Sequence, residues 1–401
     1  MIRHAAVTDD GRRRDHNEDA FLALPDQGVF IVADGVGGRA FGEVAAAMTI
    51  ATFEEAAPRL ASAVNAYSDS PGRRTRNAVL ELLDETCQTA SRTVYEAAES
   101  ESRRGMTTTV VGAVIGAGSI FLFHVGDSRA YLLREGELLQ LTDDHSMVNE
   151  LVRTGQMSYE DARRSRYRNV ITRAIGLQPA VQADVAAIEV LPGDRLVLCS
   201  DGLSDPVPVE DLTRLLGRGV PRSVVDNLLQ EALDNGGPDN ITVVVVDPDA
   251  SPQAEAAAAR AEVMASLFLF SDMPFHARAR VGRMVSELFV SPDEVVIGQG
   301  SSGQSMYVVV QGELVVSRDG IELTRMGPGD HFGEQALVDA QPRSASVTAT
   351  KFGSLITIDR QALNEFCQRE PELGNRVLWK LLETISQRLR DTSSRLTSRQ
   401  Q

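Results

Sequence analysis

Along the first 247 residues, short apolar runs alternate with longer stretches of helical period. VFIVA (29–33), IFLFHV (120–125), RLVLCS (195–200) and ITVVVV (241–246) are too short for helices and read as buried strands. The stretches near 42–66, 76–101 and 146–165 read as helices. The pattern changes at DPDASPQAEAAAARAE (247–262), where prolines, acidic and small residues precede an alanine-rich run. Beyond it, MYVVVQGELVVSRDGIELTRMGPGD alternates apolar and polar positions between glycines, the pattern of consecutive hairpins, and a long helical pattern covers about 371–396. The expectation is an α+β chain of two domains, 1–247 and 265–401, joined by a linker at 248–264.

Length and charge narrow the function. At 401 residues the chain exceeds one ordinary core. Its net charge of −16 opposes a nucleic-acid footprint, which needs clustered Lys and Arg. Cys87, Cys199 and Cys367 are too few and too scattered for a disulfide framework. The N-terminus has no signal-peptide segment and no run approaches a membrane span, so a cytoplasmic protein is expected.

The strand ends carry the candidate chemistry. Asp34-Gly35 follows VFIVA, Gly126-Asp127 follows IFLFHV, Asp201-Gly202 follows RLVLCS, and Pro238-Asp239-Asn240 precedes ITVVVV. Any one Asp-Gly pair is an ordinary turn. Gathered at one sheet edge, such carboxylates would repel unless cations neutralised them, and ligands that are all oxygen select Mg²⁺ or Mn²⁺. Two such ions roughly 3.5–4 Å apart can activate a bridging water to hydroxide for phosphate-ester hydrolysis.

RDHNEDA (14–20), FIVADGVGG (30–38), GMTTTVVGAVI (105–115), VGDSRAYLL (125–133), LCSDGLSD (198–205) and GPDNITVVVV (237–246) resemble, in order and spacing, the signatures of the metal-dependent protein serine/threonine phosphatases, the type 2C or PPM family. The resemblance implies a β-sandwich flanked by helices. It also implies that Asp34 bridges two metals, the Gly35 carbonyl and Glu18 serving one and Asp201 and Asp239 the other. Asp19 would hold a metal-bound water, Asp127 with Asp201 would form a third, weaker metal position, and Arg14 would bind the substrate phosphate. Val36 stands where many eukaryotic members have a histidine proposed as general acid, which leaves His16 and His145 as available histidines, each for direct proton transfer or for a structural hydrogen-bonding role. Residues 146–180 resemble the family's flap, whose Arg163, Arg164, Arg166 and Arg168 either help to read a phosphoprotein or form a solvated face.

In HFGEQALVDAQPRSASV (331–347), a Gly-Glu pair opens a short helix-like run and Arg343 follows a proline. Arg343 can offer two parallel donors to phosphate oxygens, and Glu334 can accept from a sugar hydroxyl. Residues 265–400 resemble the cyclic nucleotide-binding domain, an eight-stranded roll with flanking helices. The resemblance implies a phosphate cassette of Gly333, Glu334, Arg343 and Ser344, with Thr392 and Ser393 of the terminal helix on the adenine. Leu378, Leu382, Ile385, Leu389, Thr392 and Leu396 recur in steps of four and three, a coiled-coil seam for a homodimer or a face packed on its own domain.

The combined expectation is a Mn²⁺- or Mg²⁺-dependent phosphatase acting on phosphoserine and phosphothreonine in proteins, modulated by a cyclic nucleotide, cAMP ahead of cGMP. The alternatives are a phosphatase whose roll is a ligand-free docking or dimerisation module, and a nucleotide-sensing scaffold with an inert phosphatase half.

Overall fold

The computed structural model describes residues 2–36, 41–98, 105–158, 161, 165–167, 170–248, 285–339, 341–369 and 371–398. They belong to two compact units, Met1–Ala257 and Ala258–Gln401. The proposed linker falls almost wholly outside the described residues, as do Arg163, Arg164 and Arg168.

In the first unit the valine run explains the layering. All of β11 (Ile241–Asp247) is buried, so each of its faces needs an apolar partner. Val244 and Val246 meet Phe30, Val32, Val111 and Leu122 in the core between two sheets. Val243 and Val245 point the other way, onto Leu212, Val224 and Leu228 of the outer helices.

One sheet has the order β1–β11–β10–β7–β8, with β1 (Arg3–Asp9), β10 (Arg195–Cys199), β7 (Arg129–Arg134) and β8 (Glu137–Gln140). The other has the order β2–β3–β5–β6–β9, with β2 (Asp19–Leu24), β3 (Val29–Val36), β5 (Val110–Gly116), β6 (Ser119–Val125) and β9 (Asp184–Glu189); β4 (Thr107–Thr108) pairs with the end of β3. The long helices α1 (Gly42–Asp69) and α2 (Arg73–Ala97) cover its outer face, where Phe53 stacks on Phe123 at 4.6 Å between ring centroids. The short helix α4 (Asp201–Ser204) follows β10, and α5 (Val209–Leu216) and α6 (Pro221–Asp234) cover the first sheet. Four expected strands and two expected helices are therefore present.

The third expected helix is shorter. α3 (Met147–Arg153) starts at Ser146, whose hydroxyl accepts from the Asn149 amide, and it stops where Gly155 turns left-handed at φ 71°. The amides of Thr154, Gly155 and Gln156 return to Glu150, Val152 and Leu151 and complete the stop.

The described residues of the second unit include eight strands in two sheets, β12–β19–β14–β17 and β13–β18–β15–β16. β15 (Leu314–Arg318) and β16 (Ile321–Met326) form the expected hairpin, turning at Asp319 and Gly320 with φ of 51° and 78°. β14 (Ser305–Gln311) and β15 are not a hairpin, because β14 pairs with β17 (His331–Phe332) and β19 (Gly353–Asp359) in the other sheet. The chain changes sheets at Gly312, where φ is 102° and a Cβ would sit 2.9 Å from Gly353 Cα. A turn between alternating strands looks the same in sequence whether it closes a hairpin or a corner. The remaining strands are β12 (Val285–Val290), β13 (Val295–Ile297) and β18 (Ser346–Ala349). Helices α7 (Gln335–Val338), α8 (Arg360–Arg369) and α9 (Pro371–Ser398) complete the unit, with Leu363, Phe366, Val377 and Leu381 packed on Met306, Val308 and Ile358.

Candidate metal centre and nucleotide cassette

Antiparallel pairing of β2 and β3 places Asp19 opposite Asp34. The Gly35 amide donates to the Glu18 carbonyl at 3.1 Å, so the two motifs lie side by side although a strand, a turn and a strand separate them. The Asp34 carbonyl accepts from the Thr109 amide at 2.8 Å and the Thr108 hydroxyl at 2.7 Å, which fixes the backbone at the end of β3. Asp201 opens α4 with Ser200 between it and β10, Asp239 lies one residue before β11 with Asn240 between, and Asp127 follows β6 after Gly126.

These aspartates gather at one end of the sandwich. Burial drives the Asp34 carboxyl well above the usual range, and the charges of Asp19, Asp201, Asp127 and Asp239 add to the effect. Burial, then Asp127, Asp205, Asp239 and Asp19, raises Asp201 in the same way. Asp19 is pushed up to about 7 and Asp127 to about 6, burial being the first cause for each. Asp34, Asp127 and Asp201 nevertheless keep part of their surface accessible, so they can take a ligand from solvent.

The donor set fits hard divalent cations. All the converging groups are oxygens, their charges repel, and Asp19 Oδ1 is buried without a hydrogen-bond partner while Oδ2 accepts from Ser200 Oγ at 2.8 Å. Arg14 reaches the cluster, its Nη2 donating to Asp239 Oδ2 at 2.6 Å.

Several supporting residues carried no signal of their role in the sequence. Asn240 is 5% exposed and uses its whole amide. Its Oδ1 accepts from the Glu18 amide at 2.9 Å, while Nδ2 donates to the Asp10 and His16 carbonyls, each at 3.0 Å. Ser200 ties Asp19 to Thr242, whose amide donates to its hydroxyl at 3.0 Å. Glu43, in the first turn of α1, has a carboxylate oxygen within 4.8 Å of ligand atoms on Glu18 and His16. Each partner is recognisable only after the strands are in register.

The two histidines differ. His16 is exposed and lies 3.1 Å from Glu18 Oε1, whereas His145 is 5% exposed and bound to Gly126. Val36, at 36% exposure, offers no proton.

In the second unit the structure brings Gly333 and Arg343 together. Arg343 Nη2 donates to the Ser305 carbonyl at 2.6 Å and Nη1 to the Gly333 carbonyl at 3.1 Å. Its backbone is strapped to the loop before β14, Arg343 N donating to Ser301 O at 2.9 Å and Gly300 N to Arg343 O at 2.8 Å. Burial lowers the Arg343 pKa, as expected for a cation partly withdrawn from water. Glu334 is 3% exposed, beside Gly333, and Ser344 is exposed. Thr392 and Ser393 lie on α9, and their side chains are outside the described residues. On the same helix, of the seam positions, Leu378 and Leu382 are exposed, as is Trp379 between them.

Residues 10–235 match the family model for protein phosphatase 2C, and residues 287–370 match that for the cyclic nucleotide-binding domain. The chain is similar to the serine/threonine phosphatase stp of Listeria monocytogenes, with 38% identity over 247 residues that cover 60% of this chain and 94% of that protein. The crystal structure of the Mycobacterium tuberculosis serine/threonine phosphatase PstP/Ppp superposes with a TM-score of 0.54 at 37% identity, covering 62% of this chain and 99% of that one. A structure of the catalytic domain of PstP in complex with two manganese ions gives a TM-score of 0.52 at 36% identity, with 62% and 99% covered. Matched in sequence and in fold over its aspartate-bearing unit, the chain belongs to the protein phosphatase 2C family and carries a cyclic nucleotide-binding domain after it.

Proposed function

We propose that the chain removes phosphate from phosphoserine and phosphothreonine in proteins, with Mn²⁺ or Mg²⁺ held by Asp34, the Gly35 carbonyl, Glu18, Asp201 and Asp239, and with Asp127 and Asp201 as a third, weaker position. The observation that carries this reading is the convergence of Asp19, Asp34, Asp127, Asp201 and Asp239 in mutual charge range at one end of the sandwich. Cations bound there supply activation of water and charge to offset the phosphoryl oxygens. Arg14 presents its guanidinium fork to the substrate phosphate from beside Asp239. Asp19, held by Ser200 with one oxygen unpartnered, is placed to accept a proton or orient a water. Val36 cannot protonate the leaving alkoxide, which leaves that proton to solvent within the site.

The second unit binds a cyclic nucleotide through Arg343, Ser344, Gly333 and Glu334, and the ligand alters the phosphatase rate. The support is the placement of Arg343 on two carbonyl groups, with Glu334 buried beside them. A phosphate can replace carbonyl oxygens as partner of the guanidinium, gaining a full charge. cAMP is favoured over cGMP because Thr392 and Ser393 match positions that meet adenine in the resembling domain. The exposed Leu378, Trp379 and Leu382 suit a homodimer through α9.

The test is the initial rate of phosphothreonine-peptide hydrolysis in Mn²⁺, with cAMP and cGMP titrated separately. A saturable change that disappears in Arg343→Ala supports the whole reading. A rate that neither nucleotide moves leaves the phosphatase and removes the regulation, and no metal-dependent rate removes the enzyme.

A further inference from the structure

His124, His145 and Asp184 each offer a ligand atom within 4.8 Å of the others, outside the aspartate cluster. Both histidines are buried, at 4% and 5% exposure, and their rings stack at 4.4 Å between centroids. The hydrogen-bond pattern argues against a metal here. The Gly126 amide donates to His145 Nδ1 at 3.1 Å, so the neutral ring carries its proton on Nε2. That nitrogen faces Asp184 Oδ2 at 3.4 Å, and a cation on it would require the ring to lose its remaining proton.

The same pattern supports a different role. The His145 side chain accepts the Gly126 N–H, and the His145 N–H donates to the Gly126 carbonyl at 2.9 Å. Both backbone polar groups of Gly126 are thus held by one residue. Gly126 is left-handed, at φ 113°, and directly precedes Asp127. The His145 carbonyl accepts from the Thr172 amide at 2.7 Å, and Arg173 donates to the other oxygen of Asp184 at 2.7 Å. One buried residue therefore joins the turn before Asp127 to Thr172 in segment 146–180.

We propose that His145 is a positioning residue: it sets the direction of Asp127 and couples that direction to the segment at Thr172 and Arg173. The coupling itself is independent of metal, and its effect on cation binding rests on the reading of Asp127 as a ligand. His145 acts through backbone groups and touches no substrate.

The test uses the full-length chain, His145→Phe and His145→Asn. Phe fills the ring space without an acceptor, whereas Asn places Oδ1 where Nδ1 stood. Amide hydrogen exchange in 124–128 and in 170–173 is expected to be at least about tenfold faster in His145→Phe, with most protection restored in His145→Asn. Calorimetric Mn²⁺ titration is expected to show the weakest binding step shifted about tenfold in the Phe variant only, with the tighter steps unchanged. Equal exchange in parent and Phe variant, or an Asn variant that matches Phe, overturns the proposal. Should the parent show no weak Mn²⁺ step while exchange follows the expected order, the latch stands and the assignment of Asp127 as a ligand fails.

Discussion

The catalytic unit buries charges of one sign, and the nucleotide unit withdraws a charge of the other. Burial raises the pKa of Asp19, Asp34, Asp127 and Asp201, and the neighbouring aspartates add to the rise at Asp34 and Asp201, while Arg343 rests on the neutral carbonyls of Ser305 and Gly333. The two arrangements differ in what they cost without a ligand. Crowded carboxylates destabilise the fold in a way that bound cations would relieve, whereas a guanidinium on carbonyl oxygens is already partly solvated by protein. The first unit should therefore depend on its ligand for stability and the second much less.

The largest effect expected from breaking this contrast is on turnover. Asp34→Asn should lower kcat/KM for a phosphothreonine peptide by about a thousandfold or more, a loss of roughly 4 kcal/mol in barrier terms, measured in saturating Mn²⁺. Arg343→Ala should weaken cAMP binding about a hundredfold, roughly 2.7 kcal/mol, by equilibrium dialysis, because a phosphate loses its charged bidentate partner.

Asn240→Ala should cost about 1–3 kcal/mol in a denaturant melt, because it leaves the part-buried Glu18 amide and the Asp10 and His16 carbonyls without their partner. Its activity should fall further than its stability, since the lost bonds place Glu18.

A pH experiment sharpens the contrast with the smallest effect. The Asp19 carboxyl rises from 3.8 to about 7 on folding, so between those values the folded protein retains a proton that the unfolded chain has released. The metal-free protein should accordingly lose stability as pH climbs from about 4 to 7, the reverse of a salt-bridged aspartate. Melting in EDTA at pH 5 and pH 7.5 should show this fall in the parent and a flatter profile in Asp19→Asn. The Asp19→Asn midpoint should be higher by a few degrees at pH 7.5.

The buried strands were legible because both faces of β11 and β6 are apolar, which leaves little alternative for VVVV or IFLF. Asp34, Asp127 and Asp201 were legible because each sits beside glycine after such a run, and Asp239 because it stands just before one. What escaped was set by register and by backbone corners. Asn240 and Ser200 are ordinary polar residues until pairing brings them to Glu18 and Asp19, more than 180 positions away in the chain. The end of α3 at Gly155 and the corner at Gly312 depend on left-handed backbone that a glycine permits without announcing. Of the two roles open to His145 in the sequence, proton transfer and structural hydrogen bonding, the structure shows a hydrogen bond, to Gly126.

The pairing of β1 with β11, from Arg3 opposite Asp247 to Asp9 opposite Ile241, has a consequence for biosynthesis. β1 is hydrogen-bonded to β11, more than 230 residues later, so it has no mate on that edge until residue 247 has left the ribosome. Contacts of such long sequence separation form late and slowly. The nascent chain therefore cannot bring Asp239 to the other aspartates until then, and the electrostatic burden of completing the cluster falls on the final closure step, where on the reading proposed above divalent cations in the surrounding solution would act as folding ligands.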